Sequence, residues 1–202
     1  MARTKEFDPD AALQSALELF WRRGYEATSM ADLVDHLGIG RASIYATFGN
    51  KHELYLKAMD RYAESADAAI LADLSAGGPA LPAVRGLVRR FAAEATADER
   101  RLTGCFVTNT ATELAPHDTA AARRVERSWE HIETLLHATL TRARAQGELP
   151  ADRDPRALAR LLLVLMQGMR VVGKASPDPA RVRDAAEQAL GLLDGAAAPA
   201  SF

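Results

Sequence analysis

Apolar residues recur every three or four positions along most of this chain, which is the spacing of one face of an α-helix. No stretch alternates between apolar and polar residues as a half-buried strand does. Segments rich in Gly and Pro interrupt the helical pattern and divide it into about nine helices. The pattern therefore predicts an all-α protein. We expect an N-terminal three-helix domain over residues 1–50, a larger helical domain over residues 51–194 and a disordered tail over residues 195–202.

Two short helices joined by a tight turn are predicted between residues 28 and 51. Ser29 can cap the start of the first, and Asp32, three residues later, can reach back to complete a capping box. Gly38 is a natural left-handed end for this helix, and the second is predicted over residues 41–48. Two helices separated by three residues indicate a helix-turn-helix, whose second helix enters the major groove of DNA.

The second of these helices has two different faces. Ile44 and Phe48 are four residues apart and predict the packed face. The opposite side carries small and hydrogen-bonding groups, and Arg41 at its start can donate two hydrogen bonds to a guanine. The residues of this side are Arg41, Ala42, Ser43, Tyr45, Ala46 and Thr47. Spacing alone also allows an ordinary helical hairpin whose polar face is simply solvated.

The stretch GYEATSMADLVDHLGIGRASIYATFGNKHELY strongly resembles the DNA-binding domain of the TetR family of bacterial transcription regulators. The resemblance covers about residues 8–59 and implies a homodimeric regulator, most often a repressor, that leaves a palindromic double-stranded operator when an effector binds. It implies phosphate contacts from Thr28, Tyr45 and Lys51, with Ser29 included in the same DNA-binding set, and base contacts from Arg41, Ala42, Ser43 and Thr47.

The balance of charge adds no support for DNA binding. The chain has 25 Lys and Arg against 27 Asp and Glu, for a net charge of -2. Affinity for DNA must therefore come from a few well-placed contacts and from dimerisation. The short basic arm Arg3-Thr4-Lys5 can add a backbone or minor-groove contact, and the alternative is a frayed terminus.

The last two predicted helices indicate a dimer interface. The eighth, over about residues 155–173, is apolar nearly all round and needs cover on every side, whereas the ninth carries small residues that allow close approach. We predict that both pack on their copies in a two-fold four-helix bundle. The interface is predicted at Leu161, Leu165, Val172, Val182, Ala186, Ala189 and Leu193. The alternative is a core helix buried within a monomer.

A regulator needs an input, and the resemblance implies an effector pocket among the fifth to eighth helices. Its predicted lining is Phe91, Cys105, Phe106, Asn109, Thr112, Glu113, Trp129, Met166 and Met169. Asn109 and Glu113 are four residues apart, and polar groups beside an apolar stripe need partners. The alternative is that the aromatic and Met side chains are ordinary core residues.

Cys105 is a second candidate input. It follows Gly104 at the predicted start of the sixth helix, where free N–H groups and nearby Arg100 and Arg101 would favour a thiolate. Gly104-Cys105 followed by Asn109 and Glu113, with a later Lys174, resembles a branch of the TetR family that includes oxidant and electrophile sensors. This implies a redox or alkylation switch at Cys105 that Lys174 assists. The alternative is a small buried apolar residue.

Other chemistries find little support in the sequence. His131 and His137 are six residues apart and lie on different helix faces, so neither a metal site nor a cofactor is expected. No phosphate loop or catalytic elbow is present. The best enzyme alternative is a cysteine hydrolase that uses Cys105 with His117 or His131. A single Cys, no signal peptide and no membrane-spanning run together predict a cytoplasmic protein.

Overall fold

The computed structural model describes residues 7–75, 77–97 and 102–194. These residues form nine α-helices and no strand, so the predicted all-α class is confirmed. The helices are α1 Pro9–Arg23, α2 Met30–Leu37, α3 Arg41–Phe48, α4 Lys51–Ser75, α5 Ala80–Thr96, α6 Phe106–Glu113, α7 Thr119–Ala145, α8 Pro155–Ala175 and α9 Ala180–Gly191. The predicted basic arm Arg3-Thr4-Lys5 and the predicted tail over residues 195–202 lie outside the described residues.

The chain divides into two compact units that do not coincide with the predicted domains. The first unit comprises Met1–Ser65 and Cys105–Glu126, and the second comprises Ala66–Gly104 and Arg127–Phe202. The first unit therefore contains α1, α2, α3, the first part of α4, α6 and the first turns of α7. The predicted domain over residues 1–50 is a part of this unit, to which α6 returns from much later in the chain.

Local signals start the first two helices, and those of α2 agree with the prediction. The Asp8 side chain caps α1 by accepting a hydrogen bond from the Asp10 N–H at 2.8 Å. The Asp32 N–H donates to Ser29 Oγ at 3.1 Å and the Ser29 N–H donates to Asp32 Oδ2 at 2.8 Å, which completes the capping box of α2. Gly38 ends α2 in the left-handed conformation with φ of 64°. Hydrogen bonds from Ser29 lower the pKa of Asp32 to about 2.

The core of the first unit is aromatic. Tyr55 of α4 is fully buried, and its ring centroid lies 5.0 Å from that of Phe20, 5.0 Å from that of Tyr25 and 5.1 Å from that of Phe106. All three pairs are close to edge-on, the arrangement that aromatic rings favour. The Tyr55 hydroxyl also forms a hydrogen bond of 2.8 Å with Thr110 Oγ1. The same cluster therefore packs α1, α4 and α6 together.

The core of the second unit is aliphatic. It consists mainly of Leu, Val, Ala and Met from α5, α7, α8 and α9, with Phe91 as its aromatic member. A Cβ atom built on Gly173 of α8 would lie 2.1 Å from the Ala95 carbonyl oxygen of α5. The two helices therefore approach each other more closely than any side chain at position 173 would allow. No helix of the described chain combines the length and the apolar character needed to cross a membrane.

The four predicted interface residues in or just after α9 are buried in the core of their own unit. Val182, Ala186, Ala189 and Leu193 are buried among the side chains of the aliphatic core. Small residues do allow close approach here, but to other helices of the same unit. On α8, Leu161 and Val172 are exposed and Leu165 is half-buried, so the exposed part of the predicted interface lies on α8.

Candidate nucleic-acid interface

Helix α3 turns its polar side to the surface of the first unit, as predicted. Ile44 and Phe48 are buried, whereas the side chains between them are largely exposed. The guanidinium carbon of Arg41 lies 5.8 Å from the centroid of the Tyr45 ring, and Tyr45 is 42% exposed. The exposed residues are Arg41, Ala42, Ser43, Tyr45 and Ala46, and Thr47 is half-buried. This face offers a guanidinium, hydroxyls and methyl groups, which are groups that read base edges and contact phosphates.

Two residues predicted to hold phosphates, Thr28 and Lys51, make hydrogen bonds within the turn between α1 and α2. Thr28 has no exposed surface, and its hydroxyl donates to the Gly24 carbonyl at 2.7 Å. Lys51 Nζ donates to the carbonyls of Tyr25 and Thr28, both at 2.9 Å, and lies 4.0 Å from the centroid of the Tyr25 ring. Both side chains therefore hold backbone carbonyls of this turn. Ser29, beside them, is exposed at the start of α2.

A second lysine, Lys57, stabilises the C-terminal end of α3. It was not singled out from the sequence. Lys57 Nζ donates to the Phe48 carbonyl at 2.9 Å and lies 6.0 Å from the centroid of the Phe48 ring. A cation at the last carbonyls of a helix also interacts favourably with the helix dipole. Lys57 lies six residues after Lys51 in α4. This closeness in sequence to the helix-turn-helix is the signal that could have pointed to Lys57.

Glu113 was predicted to line the effector pocket, and the structure gives it a different partner. Its carboxylate accepts hydrogen bonds from the backbone N–H groups of Tyr25 at 3.1 Å and Glu26 at 2.9 Å. These groups belong to the turn between α1 and α2. Glu113 therefore connects α6 to the turn that precedes α2. The separation of 88 residues along the chain left no local signal for it.

The other predicted pocket residues are divided between the two units. Cys105, Phe106, Asn109 and Thr112 belong to the first unit, and Phe91, Trp129, Met166 and Met169 belong to the second. Phe106 is a member of the aromatic core, and Phe91, Met166 and Met169 are members of the aliphatic core. Thr112 is exposed, and its hydroxyl donates to the Asn109 carbonyl at 2.9 Å. The pocket remains a prediction.

The second unit contains polar atoms that find no hydrogen-bond partner among the described residues. They include Asp67 Oδ1 on α4 and Trp129 Nε1 on α7. Burial raises the pKa of Asp67, and nearby His131 opposes this shift. Trp129 was predicted as a pocket residue and Asp67 was not. Asp67 is an isolated acidic residue within the Ala-rich stretch of residues 66–72, and this isolation is the sequence feature that could have pointed to it.

Cys105 occupies the N-cap position of α6 and is half-buried. Arg100 and Arg101, which were predicted to favour its thiolate, lie outside the described residues. Lys174 is exposed near the end of α8, in the second unit. Within the described ranges, no group of three or more His, Cys, Asp or Glu residues is arranged to hold a metal ion.

Comparison with known proteins identifies the family. The family model described as bacterial regulatory proteins, tetR family, matches residues 12–58, which include α2 and α3. The model described as tetracyclin repressor-like, C-terminal domain, matches residues 80–189. The chain belongs to the TetR family. Its members are transcription regulators rather than enzymes, so the family gives no support to the cysteine hydrolase alternative.

Curated relatives of this TetR-family chain match it over most of its length. The HTH-type transcriptional regulator YezE of Bacillus subtilis is 38% identical, with 96% of this chain and all of the relative aligned. The HTH-type transcriptional repressor ComR of Escherichia coli is 37% identical over 84% of this chain and 80% of the relative. The chain is a DNA-binding transcription regulator with a helix-turn-helix.

Solved structures agree with this assignment. A cysteine mutant of the TetR-family regulator CifR in complex with 26-bp operator DNA has a TM-score of 0.82 and 31% identity, covering 95% of this chain and all of that chain. Reduced NemR of Escherichia coli has the same TM-score of 0.82 at 16% identity, covering 93% of this chain and 97% of that chain, and supports the fold alone. Regulators of this family act as dimers and bind small-molecule effectors.

Proposed function

We propose that this TetR-family regulator is a repressor that binds a palindromic operator as a homodimer and leaves it when a small-molecule effector binds. The observation that carries the proposal is the exposed face of α3, where Arg41 and Tyr45 lie beside small side chains and Ile44 and Phe48 are buried. The name of ComR as a repressor and the operator complex of CifR support it. Such a protein works in the cytoplasm, where bacterial DNA lies.

In the proposed interface, different side chains contact the bases and the phosphates. Arg41 donates to a base edge in the major groove, while Ala42, Ser43 and Thr47 contact neighbouring bases through methyl and hydroxyl groups. The exposed Tyr45 hydroxyl and Ser29 contact phosphates. Thr28 and Lys51 contribute indirectly, because their hydrogen bonds to backbone carbonyls hold the turn that precedes α2.

The proposed dimer uses an exposed apolar stripe on α8. Leu161, Val164, Gly168, Val171 and Ala175 are exposed and follow one another at intervals of three or four residues. Val164 is 70% exposed in the isolated chain. A stripe with this spacing is suited to pack against the same stripe of a second copy. Two copies of α3 separated by about 34–36 Å would then read successive major grooves.

The proposed effector site lies in the second unit. Asp67 Oδ1 and Trp129 Nε1 are buried polar atoms without a hydrogen-bond partner in the described chain, and such groups favour a ligand that supplies one. A donor on the ligand would suit Asp67 Oδ1, and an acceptor would suit Trp129 Nε1. Trp129→Phe should weaken the response to such an effector without changing operator affinity in its absence.

A thiol switch at Cys105 is the second candidate input. Cys105 lies at the N-cap of α6 with part of its surface exposed, and the CifR structure is described as a cysteine mutant. Oxidation or alkylation of the thiol would add bulk or polarity at the start of α6. Cys105→Ser should keep operator binding and lose any response to an electrophile such as N-ethylmaleimide, whereas a response to a non-covalent effector should persist.

The DNA-binding part of the proposal is tested by selecting duplexes from a random library with the wild-type protein. Arg41→Ala should weaken binding of the selected duplex by about 1–3 kcal/mol and relax the base preference at one position of each half-site. Arg144→Ala is the matched control, because it removes an exposed arginine from α7 in the second unit. Equal affinity and an unchanged preference in Arg41→Ala would refute the proposed base contact.

The proposed dimer face has its own test. Val164→Glu places a charge in the exposed stripe of α8 and should shift the protein from dimer to monomer in analytical ultracentrifugation. Arg183→Glu, on the exposed side of α9, is the control for a surface glutamate near the same end of the chain. A Val164→Glu protein that remains dimeric at the concentrations where the wild type is dimeric would rule out this face.

A further inference from the structure

Helix α6 contacts the turn that precedes the helix-turn-helix through the carboxylate of its last residue. Glu113, the last residue of α6, accepts hydrogen bonds from the N–H groups of Tyr25 and Glu26 at 3.1 and 2.9 Å. Both donors lie just after the end of α1, where helical hydrogen bonding has stopped and backbone groups need other partners. The carboxylate therefore holds the backbone of the turn between α1 and α2, which we define as residues 24–29.

The glycine that ends α1 is independent evidence for this contact. Gly24 has φ of 87°, a conformation that residues with a side chain rarely adopt. A Cβ atom at Gly24 would also lie 2.8 Å from each carboxylate oxygen of Glu113. The backbone conformation therefore favours Gly24, and a side chain at this position would displace the Glu113 carboxylate. The turn and the carboxylate are fitted to each other.

The opposite side of the same turn is held by a cation. Lys51, the first residue of α4, donates to the carbonyls of Tyr25 and Thr28. The peptide groups of the turn thus meet an anion on their N–H side and a cation on their carbonyl side. Charged partners make stronger hydrogen bonds than neutral ones, so the position of the turn is tightly specified. The residue that follows the turn is the first residue of α2.

We propose that Glu113 is a positioning residue that couples α6 to the DNA-binding helices. This inference rests on the proposed function, because it assumes that the input of the regulator reaches α6. Cys105, at the first end of α6, is also the point at which the chain enters the first unit from the second. A displacement of α6 changes the position of the Glu113 carboxylate, moves the turn and so changes the orientation of α2 and α3.

Coupling of this kind is reciprocal, and this gives a test that a purely structural role would not pass. If an event at α6 alters operator affinity, operator binding must alter the state of α6 by the same factor. Cys105 lies at the start of that helix and is half-buried, so its rate of alkylation by N-ethylmaleimide reports on α6. We expect the selected operator duplex to change this rate by about fivefold or more in the wild type, the lower end of typical coupling.

Glu113→Gln is the decisive variant, because it keeps the length of the side chain but replaces one acceptor oxygen by a donor. The effect of the operator on the alkylation rate should fall to less than twofold in this variant. Glu126→Gln, an exposed position of α7 in the same unit, should retain the wild-type effect. The inference fails if operator binding leaves the wild-type rate unchanged, or if Glu113→Gln responds as the wild type does.

A second measurement does not depend on DNA. Amide hydrogen exchange at Tyr25 and Glu26 in the free protein should be at least tenfold faster in Glu113→Gln than in the wild type, and unchanged in Glu126→Gln. Equal exchange rates would overturn the contact itself. If the wild type selects no duplex from the library while exchange at the turn does depend on Glu113, the proposed function fails and the contact stands as a structural one.

Discussion

The two units of this protein are stabilised by different kinds of side chain. The first unit contains nine of the eleven aromatic residues in the described chain. The nine are Phe7, Phe20, Trp21, Tyr25, Tyr45, Phe48, Tyr55, Tyr62 and Phe106. The second unit has Phe91 and Trp129, and its core is otherwise made of aliphatic side chains and Met.

This difference follows from what each unit has to do. A DNA-binding helix must be presented in one orientation, and edge-on aromatic pairs depend strongly on direction. An aliphatic core depends chiefly on volume, and it tolerates changes of shape that conserve volume. We therefore expect the first unit to be sensitive to the shape and polarity of its residues. The second unit should be sensitive mainly to lost or added volume.

The largest effect is expected from Tyr55→Ala in the aromatic core. This change removes ring contacts with Phe20, Tyr25 and Phe106 and should lower the free energy of unfolding by about 3–5 kcal/mol. Tyr55→Phe keeps the ring and loses only the hydrogen bond to Thr110, and should cost about 1 kcal/mol. Urea denaturation measures both. Similar losses in the two variants would mean that the hydroxyl, rather than the ring, dominates at this position.

In the second unit, the largest effect of added volume is expected at Gly173. Gly173→Ala places a methyl group against the Ala95 carbonyl and should cost about 1–3 kcal/mol or more, because α5 and α8 must separate. Gly86→Ala is the control: Gly86 lies within α5, and a Cβ there has no neighbour within 4 Å. That control should gain about 0.5–1 kcal/mol in thermal or urea unfolding. A neutral Gly173→Ala would show that α5 and α8 have room to adjust.

A matched pair of substitutions compares the two cores directly. Phe106→Leu removes a ring from the edge-on cluster, whereas Met166→Leu conserves volume in the aliphatic core. Met166→Leu should cost less than about 1.5 kcal/mol, and Phe106→Leu should cost more than Met166→Leu in the same urea titration. If the order is reversed, direction-dependent packing is not what distinguishes the first unit.

The smallest effect concerns the capping box of α2. Folding lowers the pKa of Asp32 from its ordinary value of 3.8 to about 2. The stability contributed by the ionised carboxylate is therefore complete above pH 3.8 and is lost as the pH falls toward 2. Over this pH interval, the free energy of unfolding should fall less steeply with pH in Asp32→Asn than in the wild type. Acid titrations followed by circular dichroism measure this slope. Asp35→Asn, an exposed position on the same helix, is the control and should keep the wild-type slope.

Features with local causes were predictable from the sequence. The cap at Ser29, the helix end at Gly38 and the buried pair Ile44 and Phe48 each depend on residues within four positions of one another. For this reason the bounds of α2 and α3 and the exposed face of α3 agree with the predictions. The family resemblance rested on the same stretch, and the family models confirm it.

Features that depend on distant residues were not predictable in the same way. The small residues of α9 suit a dimer interface and a core equally well, and the packing of α9 within its own unit decided that Val182 and Ala186 are buried. The resemblance to the family predicts that Thr28 and Lys51 contact phosphates. Their side-chain hydrogen bonds to backbone carbonyls are visible only once α1, α2 and α4 are assembled.

The sequence by itself determined the helices, their order, the exposed face of α3 and the family. These follow from hydrophobic spacing and capping, which act over one or two turns of helix. The tertiary structure decided that α6 belongs to the same compact unit as the helix-turn-helix and that Glu113 reaches Tyr25 across 88 positions. No local pattern encodes that contact, because a carboxylate at the end of a helix finds its donors only when distant segments have packed together.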